Sequence, residues 1–407
     1  MERGQRELIG RTLDELLPRE HLARDVWRVI ERLDLSALYA RIQARGSNAG
    51  ASAVDPRITL CLWVYAMLDG EGSSHEVSRL CESDAAYRWM RGGVSVRQRH
   101  LSNFRARSGE LFLELSTQIV AVLLKLGLCD LVRVAQDGTR VRASAGAASF
   151  RREETLLKLR DEAKAHLEKV LEDADDPSLT RVRRAARERG AREKLERIEA
   201  ALRELPKAAA TKKKEPAKEP RVSTTDPEAR VMKMGDGGFR PAYNVQFATT
   251  CDDARVIAGV TVTNSGTDNA EAVPMVAELD RRYDLKPAEL LVDGGYAGHD
   301  TLEKLAPDTV VYAPLKKARP DQRPQAEPRS TDSDVVAEWR RRMQTDDAKE
   351  TYKERAATAE TVNADAKTHR ALDHVPIRGL HKALGLAGLF ALSYNILRVV
   401  SLAHRGA

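Results

Sequence analysis

Apolar residues in the first 126 positions recur every three or four residues, which is the period of amphipathic helices. Pro56 directly after Asp55 is typical of a helix start, and Gly127 is typical of a helix end. The predicted helices lie at 26–33, 56–68, 74–81, 96–107 and 110–126. The N-terminal region is therefore predicted to be all-helical.

After Gly127 the apolar pattern shortens to a period of two, which favours strands. The predicted strands are 131–135, 139–143, 242–250, 256–263, 290–292 and 309–312, and helices at 269–282 and 299–305 alternate with the later ones. Strands followed by alternating helices and strands predict an α/β or α+β domain built on a mixed sheet with flanking helices.

A highly charged segment, residues 151–220, interrupts this domain and contains no Phe, Trp or Tyr. Its sparse apolar residues predict one helix at 156–171, a break at Asp175-Asp176-Pro177 and a second helix at 181–205. Ala208 to Thr211 and the stretch KKKEPAKEP are predicted to form a flexible linker. Either a solvated charged insertion or an arm that contacts a nucleic-acid backbone is compatible with this composition.

The 407-residue composition is that of a soluble globular protein, with 42% apolar and 31% charged residues. Four isolated cysteines argue against a disulfide framework or a structural zinc site, and the N-terminus lacks the apolar run of a signal peptide, so a cytoplasmic location is expected. Residues 1–150 carry 21 basic and 18 acidic side chains, 151–220 carry 20 and 16, and 221–407 carry 26 and 27. The basic surplus thus lies in the first two segments, which favours an anionic partner there.

The apolar stretch 383–400 has about the length of a membrane span. Glycines, Ser393, Asn395 and Arg398 interrupt it, and the flanks show no charge asymmetry. We therefore expect a core helix and no membrane partner.

Three acidic residues stand out by their place in the predicted elements. Asp137 and Asp293 each follow an apolar strand, and Glu360 lies in a long predicted helix. Carboxylates so placed can hold two divalent ions about 3.5–4 Å apart for phosphoryl transfer, and oxygen ligands favour Mg²⁺ or Mn²⁺. The alternatives are a tight hairpin turn at Asp137-Gly138, a turn at Asp293-Gly294-Gly295 and an ordinary exposed glutamate.

Over most of its length the chain resembles the DDE transposases of bacterial insertion sequences. The resemblance rests on DGTRVRASAG around Asp137, VSTTDPEARVMKMGDGGFRPAYNVQFATT, TVTNSGTDNAEAVPMV, LLVDGGYAGHDTL around Asp293, and the C-terminal series Tyr352, Arg355, Glu360 and Lys367. That series is similar to the Tyr-Arg-Glu-Lys signature of one large branch of the family. The resemblance implies a ribonuclease H-like catalytic domain, with Asp137, Asp293 and Glu360 as ligands of two metal ions.

The same resemblance implies that Tyr352, Arg355 and Lys367 contact the DNA end. Glu360 and Lys367 are seven residues apart and share a helix face. Arg355 is five residues before Glu360, where the signature leads us to expect four, and would lie about 140° round a regular helix. It fits the site only where a bulge or a helix start intervenes. Glu350 and Glu354 are rival acids without a lysine at the right spacing.

Two further segments are candidates for DNA contact. The glycine-rich stretch 232–243 carries Lys233 and Arg240 and is either a flexible loop or a phosphate-contacting loop. In the predicted helix at 96–107, Arg99, Asn103 and Arg107 share one face, and Arg and Asn suit base edges in the major groove. With the short helices ahead of it, this helix can form a helix-turn-helix-like unit, although a merely solvated basic face fits as well.

The chain is thus expected to be a transposase that binds the terminal repeats of its element and catalyses metal-dependent strand cleavage and transfer on double-stranded DNA. A homodimer or larger assembly on DNA is implied by the resemblance. The rivals are a metal-dependent nuclease without strand transfer and a non-catalytic DNA-binding descendant. The expected domains are 1–128, helical and DNA-binding; 129–150, the first catalytic strands; 151–226, insertion and linker; and 227–407, the rest of the catalytic domain.

Overall fold

The computed structural model describes residues 10–40, 54–173, 180–210, 219–315 and 327–405. Its helices are α1 Leu22–Glu31, α2 Ser36–Ala40, α3 Pro56–Leu68, α4 Ser74–Ser83, α5 Ala85–Arg91, α6 Gln98–Arg107, α7 Gly109–Lys125, α8 Glu153–Glu172, α9 Arg181–Ala210, α10 Ala272–Tyr283, α11 His299–Leu305, α12 Asp334–Arg342, α13 Asp346–Arg355, α14 Thr361–Thr368 and α15 Leu380–Arg405. A π-helical turn, Ala356–Glu360, joins α13 to α14. The strands are β1 Arg133–Arg142, β2 Phe150–Arg151, β3 Val222–Ser223, β4 Arg230–Lys233, β5 Phe239–Thr250, β6 Ile257–Thr263, β7 Glu289–Leu291 and β8 Val310–Tyr312.

The N-terminal helices begin and end where local chemistry directs. The Asp55 carboxylate accepts a hydrogen bond from the Arg57 N–H at 2.8 Å, with Pro56 as the first helical residue of α3. Ser73 caps α4 in the same way, and Gly92 ends α5 with a left-handed backbone, φ 58°. In the described residues 10–40 and 54–125 every regular element is helical, as predicted for the N-terminal region.

The main sheet is mixed, as predicted. β5 pairs antiparallel with β1 on one side and, on the other, with β4 at its start and β6 further along. Beyond β1, β7 and then β8 add in parallel. This order, with helices around the sheet, is consistent with the ribonuclease H-like fold that the resemblance implies.

The tight hairpin turn given above as an alternative at Asp137-Gly138 is not formed. β1 is a single strand that runs straight through these residues, and its antiparallel partner is β5, with Gly138 opposite Gln246. A Cβ on Gly138 would come within 2.2 Å of Gln246 Nε2 and 2.6 Å of Asp268 Oδ1. Close packing, and not a turn, explains the glycine. Asp137 therefore lies within a strand and not after its end.

The charged insertion forms the predicted helical pair, α8 and α9, which pack against each other. A small apolar cluster between them includes Leu156, Ile198 and Leu205, together with Val222 of β3. α9 continues to Ala210, so the prediction of a linker beginning at Ala208 is wrong, because Ala208 is buried in this cluster. The predicted break at 175–177 and most of KKKEPAKEP lie outside the described residues.

α15 is the one helix of the described residues that is long and apolar enough to cross a membrane, and 78% of its most apolar window is buried inside the protein. It packs against α7, α3 and β6, as predicted for a core helix. The buried Asn395 side chain accepts from the Ile257 N–H at 2.8 Å and donates to Ile257 O at 2.8 Å and to Ser116 Oγ at 3.0 Å. α15 thus joins the helical region and the sheet in one continuous apolar core.

Candidate active site

The register of the two central parallel strands sets Asp137 beside Asp293. Ala135 on β1 pairs with Leu291 on β7, and each aspartate follows two residues later. Because side chains two apart in a strand share a face, Asp137 leaves the sheet on the same side as Ala135, and Asp293 lies two residues beyond the neighbouring end of β7. Asp293 begins the turn predicted after β7, in which its side chain accepts from the Gly295 N–H at 3.1 Å.

The π-helical turn between α13 and α14 brings the third acid to this place. Ala359 of the turn packs on Ala135 and Leu291, directly next to the two aspartates. Glu360 is the last residue of the turn and has an exposed side chain. The π-helical turn that carries Glu360 thereby packs against β1, which carries Asp137, and β7, which precedes Asp293.

Arg355 joins two of the three acids and lies within electrostatic reach of the third, Asp293. Its guanidinium contacts Asp137 Oδ1 at 3.0 Å and Glu360 Oε1 at 2.8 Å. The five-residue separation from Glu360 is accommodated because a π-helical turn places residues i and i+5 in register, so the bulge that this spacing requires is present. Asn363 completes the contacts of Asp137 by donating to Oδ2 at 3.0 Å.

Burial and neighbouring charges shift the pKa of Asp137 in opposite directions, and the same is true of Arg355. Burial raises the pKa of Asp137 above its ordinary value, although Arg355, the Gly138 N–H and Asn363 all favour the carboxylate. Burial lowers the pKa of Arg355, but Asp137, Tyr352, Glu360 and Asp293 outweigh it, so the pKa of Arg355 is raised. All three acids therefore act on one buried guanidinium.

Asp137, Asp293 and Glu360 are called the acid cluster below. The remaining signature residues, Tyr352 and Lys367, lie within electrostatic reach of it. Tyr352 is half-buried, and burial raises the pKa of its hydroxyl. Lys367 is half-buried on α14, and burial together with the neighbouring Arg140 lowers the pKa of its ammonium. The rival acids are used elsewhere, since Glu354 pairs with Arg133 at 2.6 Å and Glu350 pairs with Lys353 at 2.5 Å.

Two family models match the chain and together cover most of it. A transposase domain (DUF772) matches residues 11–107, and the transposase DDE domain matches residues 212–396. The chain belongs to the DDE transposases of insertion sequences. Comparisons with curated proteins and with solved structures give no match. Asp293 and the signature residues lie inside the second match, whereas Asp137 lies before it and reaches the site of this transposase through the pairing of β1 with β5 and β7.

DDE transposases generally use divalent metal ions, and the carboxylate oxygens of this site are of the kind that such ions prefer. Among the described residues, no three His, Cys, Asp or Glu side chains are grouped so as to hold a metal ion. The guanidinium between Asp137 and Glu360 shows, however, that these acids already share a cation. The oxygen donors are therefore of the kind that suits a divalent ion, and Asp137 and Glu360 lie close enough to contact one cation.

The glycine-rich stretch forms the hairpin between β4 and β5, with Met234 N–H donating to Gly238 O at 2.7 Å. Lys233 is exposed at the end of β4. Arg240 pairs with Asp236 at 2.7 Å and lines a cavity that also contains Lys367. Arg240 thus lines the same cavity as one signature residue, Lys367.

The face predicted on α6 is present. Arg99, Asn103 and Arg107 are all exposed, while Leu101 is buried. α4 packs against both α5 and α6, an arrangement compatible with a helix-turn-helix-like unit. Arg105 is different from its neighbours, because it is buried, stacks 4.3 Å from the centre of the Trp63 ring and donates to Gly72 O. The basic face of this transposase is therefore smaller than the arginine count indicates.

Sequence reasoning missed the polar residues that support the site. Asn363, Arg140, Arg142 and Asp268 were not singled out, yet Arg140 pairs with Asp268 at 2.9 Å and Asp268 accepts from Asn244 at 2.7 Å. The signal available was the series Asp137, Arg140, Arg142 on one strand, in which polar residues interrupt an otherwise buried element. The proposed hairpin turn concealed it.

Proposed function

We propose that this transposase binds the terminal repeats of its own insertion sequence and catalyses metal-dependent cleavage and strand transfer on double-stranded DNA. The observation that carries the proposal is the contact of one guanidinium, Arg355, with both Asp137 and Glu360, beside Asp293. Two acids from separate elements contact one buried guanidinium, and a third lies within electrostatic reach of it, which supports a fold that gathers negative charge there. Such a cluster suits phosphoryl transfer within a DDE domain.

Asp137, Asp293 and Glu360 are proposed to hold two Mg²⁺ or Mn²⁺ ions. When bound, such a pair activates the attacking oxygen and stabilises the leaving oxygen of an in-line displacement. The protein's own contribution is positioning. Tyr352 and Lys367 are proposed to hold phosphates of the DNA end, and Arg355 passes from the carboxylates to a phosphate when the DNA end enters.

Both chemical steps exchange one oxygen for another at phosphorus. In cleavage, water attacks and a 3′-oxygen leaves as a 3′-hydroxyl after taking up a proton. In transfer, that 3′-hydroxyl attacks a target phosphodiester, loses its proton and displaces the 3′-oxygen of the target strand. No energy source besides the broken ester is required, because one phosphodiester replaces another.

Recognition of the element ends is assigned to the exposed α6 face, with Arg99 and Asn103 directed to base edges and Arg107 in the same row. Lys233 and Arg240 are proposed as backbone contacts. Joining two ends implies a homodimer or larger assembly on DNA, acting in the cytoplasm where that DNA lies.

The test uses DNA from the flanks of the gene, supplied as a pre-cleaved duplex end together with a plasmid target and Mg²⁺. Joined strands that are lost in the Asp293→Asn variant are the expected result. Free ends without joining would favour the nuclease alternative, and binding without any cleavage would favour the non-catalytic one.

A further inference from the structure

A cleft of about 310 Å³ opens between the end of β1, the β4–β5 hairpin and α14, and the charge of Asp137 acts on Lys367, one of its lining residues. Four basic side chains and two acidic ones line it. The basic residues are Arg140, Arg142, Arg240 and Lys367, and the acidic ones are Asp236 and Asp373. Cations therefore outnumber anions two to one within this cleft.

Most of these charges are already paired. Arg140 contacts Asp268 at 2.9 Å, Arg240 contacts Asp236 at 2.7 Å, and Arg142 contacts Asp373. Lys367 differs, because within the described part of the chain it makes no hydrogen bond or ion pair, although it is half-buried. Burial and Arg140 lower the pKa of its ammonium, which means that its positive charge is held at a cost.

An anion in the cleft would stabilise the charged Lys367 ammonium. The position of the cleft indicates where that anion comes from. The acid cluster repels a polyanion, so a DNA strand that must lie against Asp137 needs positive charge next to it. Lys367 lies within electrostatic reach of Asp137. Arg140 and Arg142 lie three and five residues after Asp137, so they project from the opposite face of β1, and they reach the cleft at the end of that strand.

We propose that Arg140, Arg142, Arg240 and Lys367 form one subsite that binds a backbone phosphate of the DNA strand entering the active site. The inference rests on the proposed function and extends it to two arginines, Arg140 and Arg142, that no motif singles out. Arg142 is the residue best suited to test it, because its side chain is 49% exposed and its pair with Asp373 contributes little to stability.

The experiment measures binding of the full-length chain to a labelled duplex from the gene's flank over a range of salt concentrations. Arg142→Gln and the double variant Arg142→Gln/Lys367→Gln are compared with Arg281→Gln, which removes an exposed arginine paired on α10, outside the cleft. Each lost phosphate contact is expected to reduce the slope of log K against log salt by about 0.9. The control should keep the wild-type slope, and an unchanged slope in both cleft variants would overturn the proposal.

A second arm locates the phosphate. Single phosphates of the duplex are replaced by neutral methylphosphonates, and each duplex is titrated with wild type and with the double variant. At one position near the cleavage site the substitution should weaken wild-type binding and leave variant binding unchanged. Additive losses at every position would overturn the subsite. Inorganic phosphate at millimolar concentration should not compete, and full competition would mean that the cleft binds a free anion instead of DNA.

Because both arms measure binding, the subsite and the proposed function can fail separately. If the cleft variants show a reduced slope but the wild-type protein never cleaves DNA, the subsite is supported and the catalytic proposal is contradicted. If the wild-type protein cleaves and joins DNA but the cleft variants keep the wild-type slope, the catalytic proposal is supported and the subsite is contradicted. The melting temperature of each variant, expected within a few degrees of wild type, verifies that the fold is intact.

Discussion

The α6 face and the acid cluster of Asp137, Asp293 and Glu360 are both proposed to act on DNA, yet they are built in opposite ways. Arg99, Asn103 and Arg107 share a face because each follows the last by one helical turn. Asp137, Asp293 and Glu360 come together only through the register of β1 with β7 and the π-helical turn. The first surface needs a single helix, whereas the second needs the whole sheet. Changes elsewhere in the fold should therefore disturb the acid cluster and spare α6.

The largest expected effect is that of Asp293→Asn, which tests whether the acid cluster works apart from DNA binding. Removing one carboxylate at constant shape should reduce Mg²⁺-dependent cleavage by at least about 10³-fold, since metal stabilisation contributes several kcal/mol. Affinity for the duplex should be unchanged, because α6 is not affected. Cleavage is measured on labelled DNA and affinity by anisotropy.

Asp300→Asn is the matched control, because Asp300 is an exposed aspartate of α11 that pairs only locally, with Lys304 at 2.8 Å. It should cleave as wild type does. Normal cleavage by Asp293→Asn would remove Asp293 from the site.

The second prediction concerns how the two regions are joined. Asn395→Ala removes three buried hydrogen bonds and leaves the Ile257 N–H and C=O without their side-chain partner. We therefore expect the free energy of unfolding to fall by about 2–4 kcal/mol. Ser393→Ala is the control, because the Ser393 hydroxyl bonds only within its own helix, to Leu389 O at 2.8 Å. It should cost less than about 1 kcal/mol.

Calorimetry shows whether the helical region and the sheet unfold together or separately. One shared core predicts a single transition that moves to lower temperature in Asn395→Ala. Two transitions, of which only one moves, would mean that the helical region and the sheet unfold independently.

Most elements follow directly from the sequence, because apolar periodicity and caps are local. Asp55-Pro56 and Gly127 mark helix boundaries that the structure has, and the alternating stretches at 242–250 and 256–263 are β5 and β6. The α6 face also follows from spacing alone. The family resemblance, confirmed by the matched domains, supplies the order in which these elements form a mixed sheet.

Local pattern fails where packing decides. Asp137-Gly138 has the composition of a turn, but the space beside Gly138 is filled by Gln246 and Asp268, residues more than a hundred positions away. Ala208 was expected in a linker because its neighbours are small, and it is helical because it is buried with Leu205. Nothing in the spacing of Arg355 and Glu360 reveals whether an extra residue is absorbed by a π-helical turn.

A third, smaller effect tests α6. Arg99→Gln and Asn103→Ala should each weaken binding to the element's end by about 1–3 kcal/mol if these residues contact base edges. Binding to a duplex of scrambled sequence should fall less, and the cleavage rate at saturating DNA should not change. Arg281→Gln again serves as the control. Equal losses on both duplexes would assign Arg99 and Asn103 to the DNA backbone.

The smallest effect is expected from deleting Ala357, an exposed residue of the π-helical turn. The turn holds one residue more than a regular helix, so the deletion leaves Arg355 four positions before the glutamate and still beside it. The melting temperature should stay within a few degrees and cleavage within about tenfold of wild type. Deleting the exposed Ala364 from α14 is the matched control, because it rotates Lys367 by about 100° relative to Glu360 and should abolish cleavage. Equal damage from both deletions would mean that the fifth residue is itself part of the site.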